Sequence, residues 1–439
     1  MLFWDVYAYI RYTNFVSTYF DIGLADYNLY YYATQHVSAL QFFVFMNHLS
    51  FFFPIVFAFY KLVGNPFSFI WLQNFFMAFT APIIYMIGSL REKRIGFAFA
   101  IAYLINPTLW GLGVFDAHLE GILPFFYMLS LYLYLKRSSL FVISFIVLLS
   151  IIDTGSALAL FFAIGLIIHE LLNRKSDKKM LKPLFASLLI AIMFIAAYWL
   201  LSMSIKANVP PQLKVMNFFG EQQNVLAKPT ANEIGIAALF WLAMGFFSFG
   251  ITSIFALLPS IFFLAPWLAE IFLVRNILFI TPYMQYFAYA IGGLAGALLG
   301  SQTTRLNPKL IEINVYFFAV LFLISFIILY HFPSPFSNAK VANIEIVANS
   351  LNTSIMAQGS ITPHLYNMLY VENPPDEKPI WFEKLNYTTF WFKPEYIIID
   401  KNLSDYAPMN SSAFNVYAYM RNNYTLYLSE NGLEIYKKV

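Results

Sequence analysis

The 439-residue chain contains no cysteine. That excludes disulfides, thiolate metal sites and thiol redox chemistry, and it leaves the compartment open. Charge is scarce as well. Only 11% of residues are Asp, Glu, Lys or Arg, against about 25% in soluble domains. The formal net charge of +3 is too small to point to nucleic acid as a partner. No phosphate-cradling P-loop, no His-Glu-x-x-His pair and no Gly-x-Ser-x-Gly elbow occurs anywhere in the chain. Residues 1–20 carry Asp5 and Arg11 and lack a clean apolar stretch, so no cleavable signal peptide is expected.

What is present in excess is apolar surface: 60% of residues are hydrophobic and 20% aromatic. A water-soluble core has no room for that fraction, so the composition indicates a polytopic membrane protein. Apolar runs predict helices near 66–88, 95–110, 121–136, 139–152, 154–171, 183–205, 234–248, 251–272, 281–300 and 313–331. Several are shorter than the roughly 20 residues of a straight span and read as broken or embedded helices packed within protein. The expected fold is an α-helical polytopic membrane protein of about 10 spans or embedded helices. Residues 1–65 form an N-terminal segment with an acidic loop and interfacial helices, 66–331 the transmembrane domain, and 332–439 a small α/β domain. Gly292, Gly296 and Gly300 repeat at every fourth position of one helix, a spacing that predicts close helix packing.

Basic residues set the orientation. Arg91, Lys93 and Arg94 share one loop; Lys136 and Arg137, Arg174 to Lys182, and Arg305 with Lys309 mark alternate loops after it. The positive-inside rule puts these loops in the cytoplasm and places 1–65 and the C-terminal domain outside. Sequons at Asn352, Asn386, Asn402, Asn410 and Asn423 all follow the last span, as that topology requires. The tail changes character: runs such as Tyr396-Ile397-Ile398-Ile399-Asp400 read as strands, this one buried and ending in a carboxylate.

Four polar clusters then fall on the expected outer face. Asp21 and Asp26 flank a Gly-containing loop in a region where charge is otherwise sparse. A carboxylate there can serve as a general base or hold a divalent ion against a phosphate; the alternative is a pair of solvated loop acids. Asp116, His118 and Glu120 alternate, so an extended segment would put three metal-capable groups on one side. Asp and Glu are also ordinary residues at a helix start. His48 stands alone, and Asp153 interrupts a long apolar stretch, where a carboxylate needs a cavity, a partner or a helix end. Arg275 is placed to pair with an anionic ligand or to snorkel at the interface.

The order of these features is a pattern. Phe20-Asp21-x-Gly23-x-x-Asp26 is followed by His48-x-Ser50, Asp116-x-His118-x-Glu120, Asp153, Pro363-His364-Leu365, and a strand from Tyr396 to Asp400. It resembles the multi-spanning membrane family known as domain of unknown function 2079, grouped with the GT-C glycosyltransferases. The chain departs from the pattern at Tyr27, Ile152 and Asn367-Met368, where the family has Gln, Lys and Arg. A spanning helix ordinarily precedes the acidic loop, and residues 1–20 stand in that place. The resemblance implies a GT-C-like fold in the cell membrane. Asp26 or Asp21 would be catalytic, and His48, Asp153, Arg275 and His364 would bind substrate. Asp116, His118 and Glu120 would hold Mg²⁺ or Mn²⁺. It also implies a polyprenyl-phosphate-linked sugar as donor, entering from the membrane lipid, and an acceptor from outside. The competing expectation is a non-enzymatic membrane transporter or envelope scaffold.

Overall fold

A computed structural model describes residues 1–14, 22, 24–34, 38–46, 48–64, 67–114, 117–173, 178–205, 231–274, 285–329, 334, 355–357, 361, 371–372, 395–401, 423–430 and 432–439. The N-terminal part folds as α1 (Leu2–Thr13), α2 (Leu24–Thr34), a hairpin of β1 (Val44–Phe45) and β2 (His48–Leu49), and α3 (Phe53–Val63). Pro at the start of α3 suits a position whose N–H has no helical partner. Gly64 closes that helix in the left-handed region at φ 64°, which a side chain would disfavour.

The bundle follows: α4 (Ser68–Ser89), α5 (Lys93–Leu104), α6 (Pro107–Val114), α7 (Leu123–Leu135), α8 (Leu140–Ser150), α9 (Gly155–Leu172), α10 (Leu181–Ser204), α11 (Ala231–Phe247), α12 (Leu257–Ala269), α13 (Ile291–Thr303) and α14 (Pro308–Leu329). Among the described residues, five helices are long and apolar enough to cross a membrane: Ser68–Ser89, Gly155–Leu172, Leu181–Ser204, Ile251–Phe272 and Pro308–Leu329. Others are half-length. The run expected as one helix over 95–110 breaks before Pro107, whose ring cannot continue the hydrogen-bond ladder. The run over 281–300 is a 3₁₀ turn (Gln285–Ala290) leading into α13, and Ile251–Phe272 opens with a 3₁₀ turn (Ile251–Ala256).

Burial sorts inner helices from outer ones. In the most apolar stretch of α9, 61% of residues are buried; in α10 and α14 only 22% are. The outer pair turns Leu189, Ile192, Met193, Phe317, Ile324 and Ile328 outward, an apolar surface suited to lipid rather than water. The innermost helix, α13, is buried along nearly its whole length. A Cβ added at Gly292 would strike the Phe263 carbonyl, one at Gly296 the Ser260 side chain, and one at Gly300 the Thr252 carbonyl. The glycine repeat therefore lets α13 press backbone to backbone on α12 and the 3₁₀ turn before it.

After α14 the described tail residues form a five-stranded sheet. It comprises β3 (Ile355–Ala357), β4 (Val371–Glu372), β5 (Tyr396–Asp400), β6 (Tyr424–Glu430) and β7 (Leu433–Lys438), in the order β4-β3-β5-β7-β6. Strand β5 runs parallel to β3 and antiparallel to β7, and all five of its residues are buried. Asp400, at its end, is 1% exposed. Asn423 is the one sequon among the described residues, and it lies exposed at the start of β6.

Candidate functional site

Asp153 occupies the break between α8 and α9, two residues before α9 begins. A buried carboxylate needs compensating donors, and Asp153, only 3% exposed, has them. Its Oδ1 lies 3.0 Å from His48 Nδ1 and accepts the Thr154 N–H at 2.8 Å. Its Oδ2 takes the Leu49 N–H at 3.3 Å. The Asp153 N–H in turn donates to the Leu49 carbonyl at 3.0 Å. The hairpin and the start of α9 are thus bonded through one acid, across 105 residues of sequence.

The hairpin itself is held from α2. Its turn places Met46 at φ 51°, a backbone conformation rare for a non-glycine residue. The Asn28 side chain accepts the Met46 N–H at 2.8 Å, and the Tyr32 hydroxyl donates to the Gln41 and Val44 carbonyls. Asp26 lies in the first turn of this same α2, two residues before Asn28. Backbone placement therefore brings the acid-bearing helix to the strand pair that carries His48.

The His48 ring keeps 18% of its side-chain surface exposed, and Nε2 makes no hydrogen bond among the described residues. Burial works to lower its pKa. The adjacent Asp153 carboxylate, by charge and by hydrogen bond, and the Glu120 charge outweigh burial and hold it above its ordinary value of 6.5. The protonated form of His48 is therefore favoured by one acid in contact and a second nearby.

His118 and Glu120 enter from the other side. His118 precedes a 3₁₀ turn, Leu119–Ile122, so the extended geometry expected for Asp116, His118 and Glu120 does not continue through Glu120. The pair stays close even so, with Nδ1 and Oε2 3.9 Å apart, and both residues are buried. Gln73 of α4 braces the segment at both ends: its amide nitrogen donates to the Leu112 carbonyl at 2.8 Å, and its Oε1 accepts the His118 N–H. A Cβ at Gly121 would collide with the Gln73 side chain, so the close approach depends on that glycine. On a third side, the Tyr289 hydroxyl donates to Thr154 Oγ1 at 2.7 Å, joining the 3₁₀ turn before α13 to the start of α9.

His48, Asp153, His118 and Glu120 are therefore brought to one end of the bundle. Asp21, Asp116, Arg275 and His364 lie outside the described residues. Gln73, Thr154 and Tyr289 belong to the site without having been singled out in the sequence. Each sits in or beside an apolar helix where an isolated polar residue reads as ordinary, although Gln73, in the second turn of a span, was a usable signal.

A divalent ion with ligands about 2.1 Å away puts neighbouring donors about 3 Å apart. The described His118–Glu120 pair is wider than that, at 3.9 Å. Among the described residues no three His, Asp or Glu groups gather in a ligating arrangement. The described pair does not by itself make a metal site.

The model of the family described as predicted membrane protein (DUF2079) matches residues 11–435, taking in the bundle, the site and the sheet. The chain belongs to this family. No curated protein matches it. The DUF2079 match accounts for a membrane protein and leaves its activity to be inferred from the site.

Proposed function

We propose that this DUF2079 protein is a GT-C-type membrane glycosyltransferase, moving a sugar from a polyprenyl-phosphate donor to an acceptor at the outer face. The observation that carries the reading is the His48–Asp153 pair, 3.0 Å apart at the end of a membrane-spanning helix. Such a pair suits a lipid phosphate. Asp153 orients the imidazole and favours its protonated form, and the exposed edge of the ring offers an N–H to an anionic oxygen.

In the proposed reaction an acceptor hydroxyl oxygen attacks the anomeric carbon. Its proton passes to a carboxylate, Asp26 or Asp21, as general base. The bond from the anomeric carbon to the phosphate oxygen breaks, and its electron pair leaves with the polyprenyl phosphate. His48 stabilises the charge that grows on that phosphate. A mostly apolar cavity of about 360 Å³, lined by Met1, Asp5, Phe59, Trp71, Leu72 and Phe75, lies between α1, α3 and α4 and suits a prenyl chain. Asp116, His118 and Glu120 are the proposed ligands should a Mg²⁺ or Mn²⁺ ion bind, where it would neutralise phosphate charge. Arg275 and His364 are the further proposed contacts to substrate.

The test is release of polyprenyl phosphate from labelled polyprenyl-phosphate sugars by membranes containing the full chain. Asp26→Asn and His48→Gln are each expected to lower turnover by about 100-fold or more, the scale of a lost general base or charge stabiliser. Asp116→Asn is expected to lose activity with little loss of stability. Undiminished turnover in Asp26→Asn and His48→Gln would leave the transporter or scaffold reading in its place.

A further inference from the structure

A second cavity lies at the opposite end of the bundle from the His48–Asp153 pair. It encloses about 570 Å³ between the C-terminal ends of α9 and α13 and the start of α12. One side is polar, with Asn173, Gln302, Thr303 and Arg305; the other carries Phe255, Leu257 and Leu258. The apolar members are not core residues. Leu172, Phe255, Leu257 and Leu258 are 62%, 48%, 49% and 45% exposed, forming an apolar rim beside a polar pocket.

The nearby cations differ in what occupies them. The Arg91 guanidinium donates to the Ser301 and Leu306 carbonyls. Arg137 is paired with the buried Glu170 at 2.6 Å. Lys178 donates to the carbonyls of Glu170, Leu171 and Asn173, closing the end of α9. Arg305 lines the cavity, is exposed, and makes no ion pair or hydrogen bond among the described residues.

The wall also holds an unsatisfied acceptor. The Tyr134 hydroxyl donates its single hydrogen to Glu170 Oε2 at 2.8 Å. Its 2.8 Å contact with His169 Nδ1 then uses the Nδ1 hydrogen, and in the neutral ring Nε2 is left as an acceptor. That nitrogen is buried without a partner in a residue of the cavity wall. Around it, the Asn173, Gln302 and Thr303 side chains of the cavity's polar side offer donors and acceptors to a hydroxyl-bearing headgroup.

We propose that this cavity binds an anionic phospholipid whose headgroup carries hydroxyls beside its phosphate. The Arg305 guanidinium pairs with the phosphate, the headgroup hydroxyls meet the polar side formed by Asn173, Gln302 and Thr303, and the acyl chains lie along Leu172, Phe255, Leu257 and Leu258. The apolar rim favours a lipid over a free phosphate ester. The site does not depend on the transferase reading, and it would serve a transporter or scaffold equally.

The experiment is native mass spectrometry of the detergent-solubilised full chain titrated with phosphatidylglycerol, phosphatidylcholine or glycerol 3-phosphate. Phosphatidylglycerol is expected to bind preferentially. Arg305→Gln should weaken it about tenfold, the scale of one lost charged hydrogen bond, and Arg305→Lys should retain most of it. Leu258→Glu sets a carboxylate on the exposed rim and should weaken binding with Arg305 in place. Equal retention of the two phospholipids, or unchanged phosphatidylglycerol binding in both Arg305→Gln and Leu258→Glu, would overturn the site. Glycerol 3-phosphate binding as tightly as the lipid would overturn the lipid assignment.

Discussion

His48 is where residue-level chemistry makes the sharpest demand. Its pKa is raised in the folded protein, so the imidazolium–carboxylate pair contributes fully below the unfolded value of about 6.5 and loses that contribution as pH rises through the folded value. The stability gap between the wild type and His48→Gln should therefore be widest near pH 5.5 and narrow as pH climbs above 6.5. Thermal unfolding in detergent across pH 5.5–9 reads this out, and a gap that widens toward alkaline pH would contradict the pairing. Asp153→Asn puts an amide where a carboxylate accepts two backbone N–H groups and an imidazole. It is expected to cost about 1–3 kcal/mol in the same assay.

Among the elements, α13 decides how tightly the inner helices close. At Gly292 and Gly300 its glycine face meets main-chain atoms of α12 and the preceding 3₁₀ turn, which cannot swing aside as side chains do. Gly292→Leu should cost about 1–3 kcal/mol or more by forcing the helices apart. Gly235→Ala, on α11 with open space around it, should be neutral or slightly stabilising. The contrast between the two, measured as detergent-resistant folded fraction, separates packing from helix propensity. At the far end of α9, Glu170 is fully buried and held by Arg137 and Tyr134. Arg137→Ala would take away the ion-pair partner of that carboxylate; because the Arg137 side chain is about a third exposed, the expected cost is about 1–3 kcal/mol.

For the whole molecule, the open question with the cleanest test is sidedness. The absence of native cysteine makes the chain a ready background for single-cysteine labelling. Ser139→Cys lies exposed in a basic loop, and Asn423→Cys lies exposed at the edge of the C-terminal sheet. A membrane-impermeant maleimide should label position 423 in intact cells and position 139 only after lysis, as the distribution of Lys and Arg requires. The reverse pattern would invert the molecule and move the His48–Asp153 pair to the cytoplasmic side.

Much of this was determined by the sequence alone. Apolar runs located the helices because lipid leaves a spanning chain no other way to satisfy its backbone. The run Tyr396–Asp400 announced a buried strand because hydrophobicity without alternation requires cover on both faces. The glycine repeat announced close packing because a residue without a side chain is useful where main chains meet. The candidate acids and histidines were legible as polar groups out of place in an apolar chain. Their partners were not. Whether Asp153 faced lipid, water or an imidazole depended on which loop folded over the start of α9. His48 arrives there from 105 residues away, through a hairpin anchored by Asn28. Only the tertiary structure decided that, because a hydrogen bond is set by distance in space, and sequence spacing constrains that distance only within a single turn of helix or strand.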